Sequence, residues 1–193
     1  MTAEQVASLA STGHLTLWNV TFPAGFTFAE LPSLRFLDLR GGSRGDLSYL
    51  SGATGLRALV VNQVRGLSDL SAISGLTSLR MLQLYGLARV ETLPDLSELL
   101  SLRRIELGQL RGLRDWSPLT STPALEELSL VNRLAPDLEV IDRLASHPTL
   151  REFGWYAPDV PVGVQREVAS RLEGLAVSRG IRPEHWFAKN DGV

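Results

Sequence analysis

An apolar triplet of the form Leu-x-x-Leu-x-Leu recurs seven times along this chain at almost constant spacing. Its members are Thr12/Leu15/Leu17, Leu34/Leu37/Leu39, Leu56/Leu59/Val61, Leu79/Leu82/Leu84, Leu102/Ile105/Leu107, Leu125/Leu128/Leu130 and Leu150/Phe153/Trp155. Successive units are offset by 22, 22, 23, 23, 23 and 25 residues. A unit this short cannot enclose its own leucines, so it must stack on copies of itself, and a period in this range specifies a solenoid.

Within a triplet such as Leu79, Leu82, Leu84 the apolar spacing passes from three to two, the mark of a chain leaving a turn and entering a short strand whose side chains alternate between faces. Seven parallel strands are therefore expected, beginning near residues 15, 37, 59, 82, 105, 128 and 153. Upstream, apolar residues fall at steps of three, as in Leu67, Leu70, Ile73, Leu76 and in Val90, Leu93, Leu96, Leu99. That period matches three residues per turn, so the return segments should be 3₁₀-like or very short helices. Asp69 with Ser71, Asp95 with Ser97 and Asp115 with Ser117 are placed to accept from the amides that open those segments. Gly66 and Gly112 suit a bend with unusual dihedral angles.

The segments Gly112-Leu113-Arg114-Asp115-Trp116-Ser117-Pro118-Leu119 and Gly66-Leu67-Ser68-Asp69-Leu70-Ser71-Ala72-Ile73, together with the seven triplets, resemble the leucine-rich repeat proteins. Within them the match is to the 22-residue kind found in bacterial internalins and in the eukaryotic regulatory subunit of protein phosphatase 1. The resemblance spans about residues 12 to 155. It implies an α/β fold: a curved, right-handed solenoid with a parallel β-sheet on the concave face, short 3₁₀ or helical segments on the convex face, and protein partners bound on the concave side. The family carries asparagine three residues after the last leucine of each triplet, bonding neighbouring backbone in a ladder. Here those positions hold Val20, Gly42, Val64, Leu87, Leu110 and Arg133. Asn19, Gln63, Gln109 and Asn132 stand one residue earlier and substitute only if the turn is shifted.

A solenoid exposes core at both ends and needs caps. Residues 1–11 read as an N-terminal cap, with Thr2 and Gln5 forming a capping box ahead of Val6, Leu9 and Ala10. Residues 12–157 hold the seven repeats. Thirty-four of thirty-six leucines precede residue 151, so residues 158–193 follow other packing rules and read as a helical cap and tail. There Val164, Val168, Leu172, Leu175 and Ala176 lie at helical spacing with Gly180 as a stop, and Trp186 and Phe187 are expected to pack nearby, over the last repeat. The rival reading of this helix is membrane-surface binding, which its mixed charges disfavour.

The formal charge of -2 provides no basic field for a phosphate backbone, which argues against nucleic acid. Cysteine is absent, removing disulfides and thiolate chemistry. With no signal-like N-terminus and no window of about 18 apolar residues, a cytoplasmic monomer off the membrane is expected. No catalytic, metal or cofactor site stands out. His14, His147 and His185 share no metal-ligand spacing. Gly41-Gly42-Ser43-Arg44-Gly45 lacks the lysine of a phosphate loop. Arg44-Gly45-Asp46 matches an integrin-binding tripeptide but sits in a turn where chance suffices. Glu126 and Glu127, adjacent on a strand, point opposite ways. Arg35, Arg57, Arg80 and Arg103 recur after the first apolar residue of four units; they form either an anion-binding stripe or a solvated edge partnered by acids, and the latter is favoured.

Strand residues alternating with the core leucines give three columns on the opposite face. The first is His14, Phe36, Ala58, Met81, Arg104, Glu127, Glu152; the second Thr16, Asp38, Val60, Gln83, Glu106, Ser129, Gly154; the third Trp18, Arg40, Asn62, Tyr85, Gly108, Val131, Tyr156. Trp18, Phe36, Val60, Met81 and Tyr85 expose apolar surface on the N-terminal half, and Glu106, Glu127 and Glu152 make the C-terminal half acidic, which would steer a basic partner. The expected contact set for a protein partner is Trp18, Phe36, Asp38, Arg40, Val60, Asn62, Met81, Gln83, Tyr85, Arg104, Glu106 and Glu127. The chain thus reads as a non-catalytic protein-interaction module; the alternative is an enzyme or enzyme regulatory subunit with a dispersed site.

Overall fold

The computed structural model describes residues 2–132 and 136–190. Seven five-residue strands follow the triplets: β1 (His14–Trp18), β2 (Phe36–Arg40), β3 (Ala58–Asn62), β4 (Met81–Tyr85), β5 (Arg104–Gly108), β6 (Glu127–Val131) and β7 (Glu152–Tyr156). Each starts one residue before the expected position and pairs in parallel with its sequence neighbours. The register is unbroken, so that Leu15, Leu37, Leu59, Leu82, Ile105, Leu128 and Phe153 form a single row. An unanticipated eighth strand, β8 (Ala176–Val177), extends the sheet beside Glu152 and Phe153, giving the order β1 to β8. The chain is thus an α/β leucine-rich repeat solenoid with the sheet on one side.

Stacking builds one continuous core. From Leu37 to Leu130 the inward strand residues are buried, and they meet the apolar side chains of the return segments, such as Leu50, Ile73, Leu99 and Leu119. Those segments are 3₁₀ turns at Phe28–Glu30, Ser48–Leu50 and Ser71–Gly75, and short helices α2 (Ser117–Thr120) and α3 (Leu138–Ala145). The eight residues of α3 fall in the unit with the longest offset. In four successive units an aspartate Oδ1 accepts from the amide two residues on: Asp46 from Ser48 at 2.8 Å, Asp69 from Ser71 at 2.8 Å, Asp95 from Ser97 at 2.9 Å and Asp115 from Ser117 at 2.9 Å. Hydrogen bonds from the serine hydroxyl, the larger cause for Asp46 and Asp115, and from the serine amide, the larger for Asp69 and Asp95, hold all four carboxyls below the ordinary aspartate range.

The turn after each strand is where the chain departs from its resemblance. Asn19, Gln63, Gln109 and Asn132 have φ of 51°, 53°, 50° and 54°, and Gly41 and Gly86 complete the column at 67° and 70°. After each of the first six strands a left-handed residue therefore bends the chain at once, earlier than an asparagine ladder would. Val64, Leu87 and Leu110, at the ladder positions, join the core instead. Only part of the ladder is recovered: Asn19 Oδ1 accepts from the Gly42 amide at 2.7 Å. Arg133 lies outside the described residues.

At the N-terminal end, helix α1 (Ala3–Ser8) opens on the expected box: the Thr2 amide donates to Gln5 Oε1 at 2.7 Å and the Gln5 amide to Thr2 Oγ1 at 3.3 Å. At the other end, α4 (Val162–Arg171) packs on α3, with Val168 and Leu172 in the core and Arg171 bonded to Asp142. This helix is shorter than the sequence suggests. Val164 is exposed, Ala176 belongs to β8, and Gly180 (φ +60°) bends the segment after β8 rather than ending the helix. Helix α5 (Pro183–Asn190) is not on the last repeat. It crosses the far face of the sheet and packs against β3 and β4. Among the described residues, no helix is long and apolar enough to cross a membrane.

Candidate functional site

The sheet face opposite the core is divided by α5. Of the eight residues in that helix only the adjacent pair Trp186 and Phe187 is buried, and it packs with Phe36, Ala58, Val60 and Met81, with Ile181 alongside. Phe36, Val60 and Met81, expected to be exposed, are 3%, 1% and 1% accessible. The correction has a simple cause. Their side chains stand side by side on β2, β3 and β4, and a contiguous apolar patch of that kind gains most by being covered. His14 closes one edge, with its ring against Phe36 at 5.3 Å and Phe187 at 5.2 Å.

Arg104 marks the other edge and is fully buried. Its Nη2 donates to the Ile181 carbonyl at 2.6 Å and to Glu106 Oε2 at 3.1 Å, its Nε lies 3.4 Å from Glu127 Oε1, and its guanidinium sits 5.8 Å from the Trp186 ring centre. Gln83 donates to the other oxygen of Glu106. Ser178 donates to Glu127 Oε1 at 2.6 Å and pairs with Ser129 at 2.9 Å. The acidic half expected to steer a partner is thus largely engaged within the chain: Glu127 is buried between Arg104 and Ser178 of the tail, Glu106 is half-buried on its strand neighbours Arg104 and Gln83, and Glu152 remains exposed.

The third column stays open. Trp18 and Tyr156, at its two ends, are 64% and 63% exposed, and Arg40, Asn62, Tyr85 and Val131 between them are partly accessible. Arg40 lies 5.1 Å from the Trp18 ring centre, and its Nε donates to both oxygens of the buried Asp38 at 3.0 and 2.8 Å. Asp38 is therefore a support for Arg40 rather than a contact surface. Tyr85 reaches over Gly108 to accept a hydrogen bond from Asn132 Nδ2 at 3.0 Å. A Cβ on Gly108 would come within 2.4 Å of the Tyr85 ring, so this residue must be glycine for the tyrosine to lie there.

Other features of the sequence resolve as structure. His147 is buried, with Nε2 3.1 Å from the Thr122 carbonyl, and burial pushes its pKa down. Arg44, of the Arg-Gly-Asp tripeptide, is held between Phe22 and Tyr49 at 4.5 and 4.9 Å and donates to the Val20 carbonyl at 3.0 Å, while Asp46 caps the next turn. In the arginine column, Arg103 pairs with Glu126 at 3.5 Å and Arg35 donates to the Pro32 and Leu34 carbonyls. Among the described residues, no three His, Asp or Glu side chains converge so as to hold a metal ion.

Trp186, Phe187, Ile181 and Ser178 belong to this surface and sequence reasoning missed them. Two signals were there: an aromatic pair in an otherwise polar helix, and a cation, Arg104, ending a run of apolar residues in the first column.

No family model and no curated protein matches the chain. Among solved structures, an internalin (inlF) of Listeria monocytogenes aligns at 19% identity and TM-score 0.48 over 92% of this chain and 62% of its own. An internalin C2 (inlC2) from the same organism aligns at 19% and 0.48 over 90% of this chain and 83% of its own. A leucine-rich repeat protein of Leptospira interrogans aligns at 16% and 0.27 over 92% and 68%. The chain spans just under two thirds of the length of the first of these.

Proposed function

We propose that this protein is a non-catalytic protein-interaction module whose contact surface is the third column of the sheet face. The observation that supports this most is the division of that face. The first column is covered from Phe36 to Glu127 and the second in part, while Trp18, Arg40, Asn62, Tyr85 and Tyr156 stay accessible along one ridge. Tryptophan, tyrosine and arginine are the side chains that most often dominate protein interfaces: the two aromatics bury a large area with few rotatable bonds, and the arginine fork is planar and rich in donors. The strands beneath hold them on a rigid spacing. Of the twelve residues expected to make contact, Phe36, Val60, Met81 and Arg104 act through the covered part of the face, Asp38 and Glu127 as buried supports, and Gln83 and Glu106 at the margin.

The test replaces Trp18, Asn62 and Tyr156 together by alanine, a set that leaves the Asp38 and Arg40 pair intact. Capture of a partner from native lysate should fall at least roughly thirtyfold in affinity, the equivalent of one hot spot. The control set is Arg65, Arg89 and Arg111, exposed in the loops that follow β3, β4 and β5. If that set abolishes capture and the ridge set leaves it unchanged, the ridge is not the site.

A further inference from the structure

Helix α5 is seated on the sheet as a foreign helix would be. Trp186 and Phe187 insert as an adjacent pair of aromatic anchors into the apolar floor, with Ile181 of the connector beside them, the way an amphipathic helix enters a groove. Everything else in the helix from Glu184 onward is exposed. An eight-residue helix is marginal in water, so α5 persists only through what it touches. Its grip is narrow. Polar ties concentrate in the connector, at Ser178 and Ile181; the helix itself is held by Trp186, Phe187 and the ion pair of Glu184 with Arg40 at 3.7 Å. Open clefts of about 670 Å³, beside Ile181 and Lys189, and about 170 Å³, beside Trp186 and Asn190, flank it. Docking also carries a cost: Arg104 is fully buried, yet its Nε and Nη1 find no hydrogen-bond partner.

The face beneath shows what it accepts. Phe36, Ala58, Val60 and Met81 form an apolar floor, Arg104 at one edge offers donors to a backbone carbonyl and a cation to an aromatic face, and Arg40, at the end of β2, offers a cation to a carboxylate. We propose that α5 is a displaceable plug in a helix-binding groove, and that the groove's exchange partner is an amphipathic helix of another protein carrying two adjacent large aromatics and an acidic residue just before them. With the plug in place the groove is closed and the third-column ridge is open; a partner helix that displaces it gains the floor and Arg104 together. This groove meets the ridge at Arg40, while its floor and Arg104 lie apart from Asn62 and Tyr156, which can be replaced without altering it.

The probe is a labelled synthetic peptide of residues 178–190, added to the full chain, and the readouts are its affinity and amide hydrogen exchange. In the unmodified protein the amides of α5 should exchange well before those of Met81–Tyr85, and excess peptide should speed them further. The chain carrying Trp186→Ala and Phe187→Ala should bind the peptide at least about tenfold more tightly than the unmodified chain, since its groove no longer has a resident competitor. A peptide lacking both aromatics should not bind. The proposal is overturned if α5 amides exchange only together with the sheet, if the peptide leaves α5 exchange in the unmodified chain unchanged, or if it fails to bind a double variant whose sheet amides remain protected. It is overturned as well if the unmodified chain forms a dimer that the peptide dissolves, because the occupant would then be a second copy's tail.

Discussion

Arg104 is the side chain on which most of the outer face depends. Two carboxylates, Glu106 and Glu127, point at it with side chains only 16% and 11% exposed, and its own side chain is fully buried. Arg104→Met would leave both acids without their counter-charge, and unfolding in urea should show a loss of about 3–5 kcal/mol, the range for breaking a buried pair from one side. Adding Glu127→Gln should recover part of it. A loss below about 1 kcal/mol would mean that the acids find water when the arginine is removed. His147 makes a second case, in which pH is the lever. Its Nε2 faces the Thr122 carbonyl and its Nδ1 the Thr149 amide, so the ring fits as a neutral donor and acceptor, and a proton on Nδ1 would oppose the amide. The folded pKa lies below 6.5, so stability is full above that value and declines as pH falls through it. The urea midpoint should drop between about pH 7.5 and 5.5, and His147→Gln should flatten the drop. That His147 is structural could be read from its place between Leu144 and Leu150. Arg104 could not be read in the same way, because the residues that bury it come 77 or more positions later.

The strands and turns followed the sequence closely because their causes are local. Alternation within each triplet sets which side chains face the core, and the aspartate two residues ahead of a serine sets where each return segment opens. The left-handed turn was half legible: Asn19 and Asn132 suit such a position, whereas Gln63 and Gln109 reveal it only by falling in the same column. Of the two strand glycines, Gly108 has less room than Gly154. Gly108→Ala places a methyl within 2.4 Å of Tyr85 and 2.6 Å of Val131, so the tyrosine must swing away from Asn132. We expect a loss of about 1–3 kcal/mol, typical of forcing extra volume into a packed site, measured by chemical denaturation. Pairing it with Tyr85→Ala should remove most of the penalty; an unchanged penalty would place the strain elsewhere.

Stacking makes the repeats a quasi-linear array in which each unit leans on its two neighbours. Leu82, in the middle, is fully buried, while Leu15, on the terminal strand β1, is only half-buried. Leu82→Ala should therefore cost about 2–5 kcal/mol and Leu15→Ala less than about 2. Equal losses would show that the stack does not end where β1 ends. The stack itself was legible from seven triplets, and helix α4 in part, since Val168 and Leu172 keep the apolar spacing while Val164 and Ala176 do not join it. The path of the last segment was not. Trp186 and Phe187 carry no periodicity that says which face they will meet, and β8 consists of two residues whose strand character exists only because β7 offers an unpaired edge.

Because α5 follows every strand that it covers, a ribosome delivers the floor of the groove before it delivers the helix that fills it. Phe36, Ala58, Val60 and Met81 can assemble as soon as the first four units have emerged, and their apolar surface then stays wet until about a hundred further residues have been made. At a synthesis rate of roughly 5–20 residues per second, that interval is on the order of five to twenty seconds. Throughout it, the nascent chain presents to the surrounding solution a sticky surface that the finished molecule conceals.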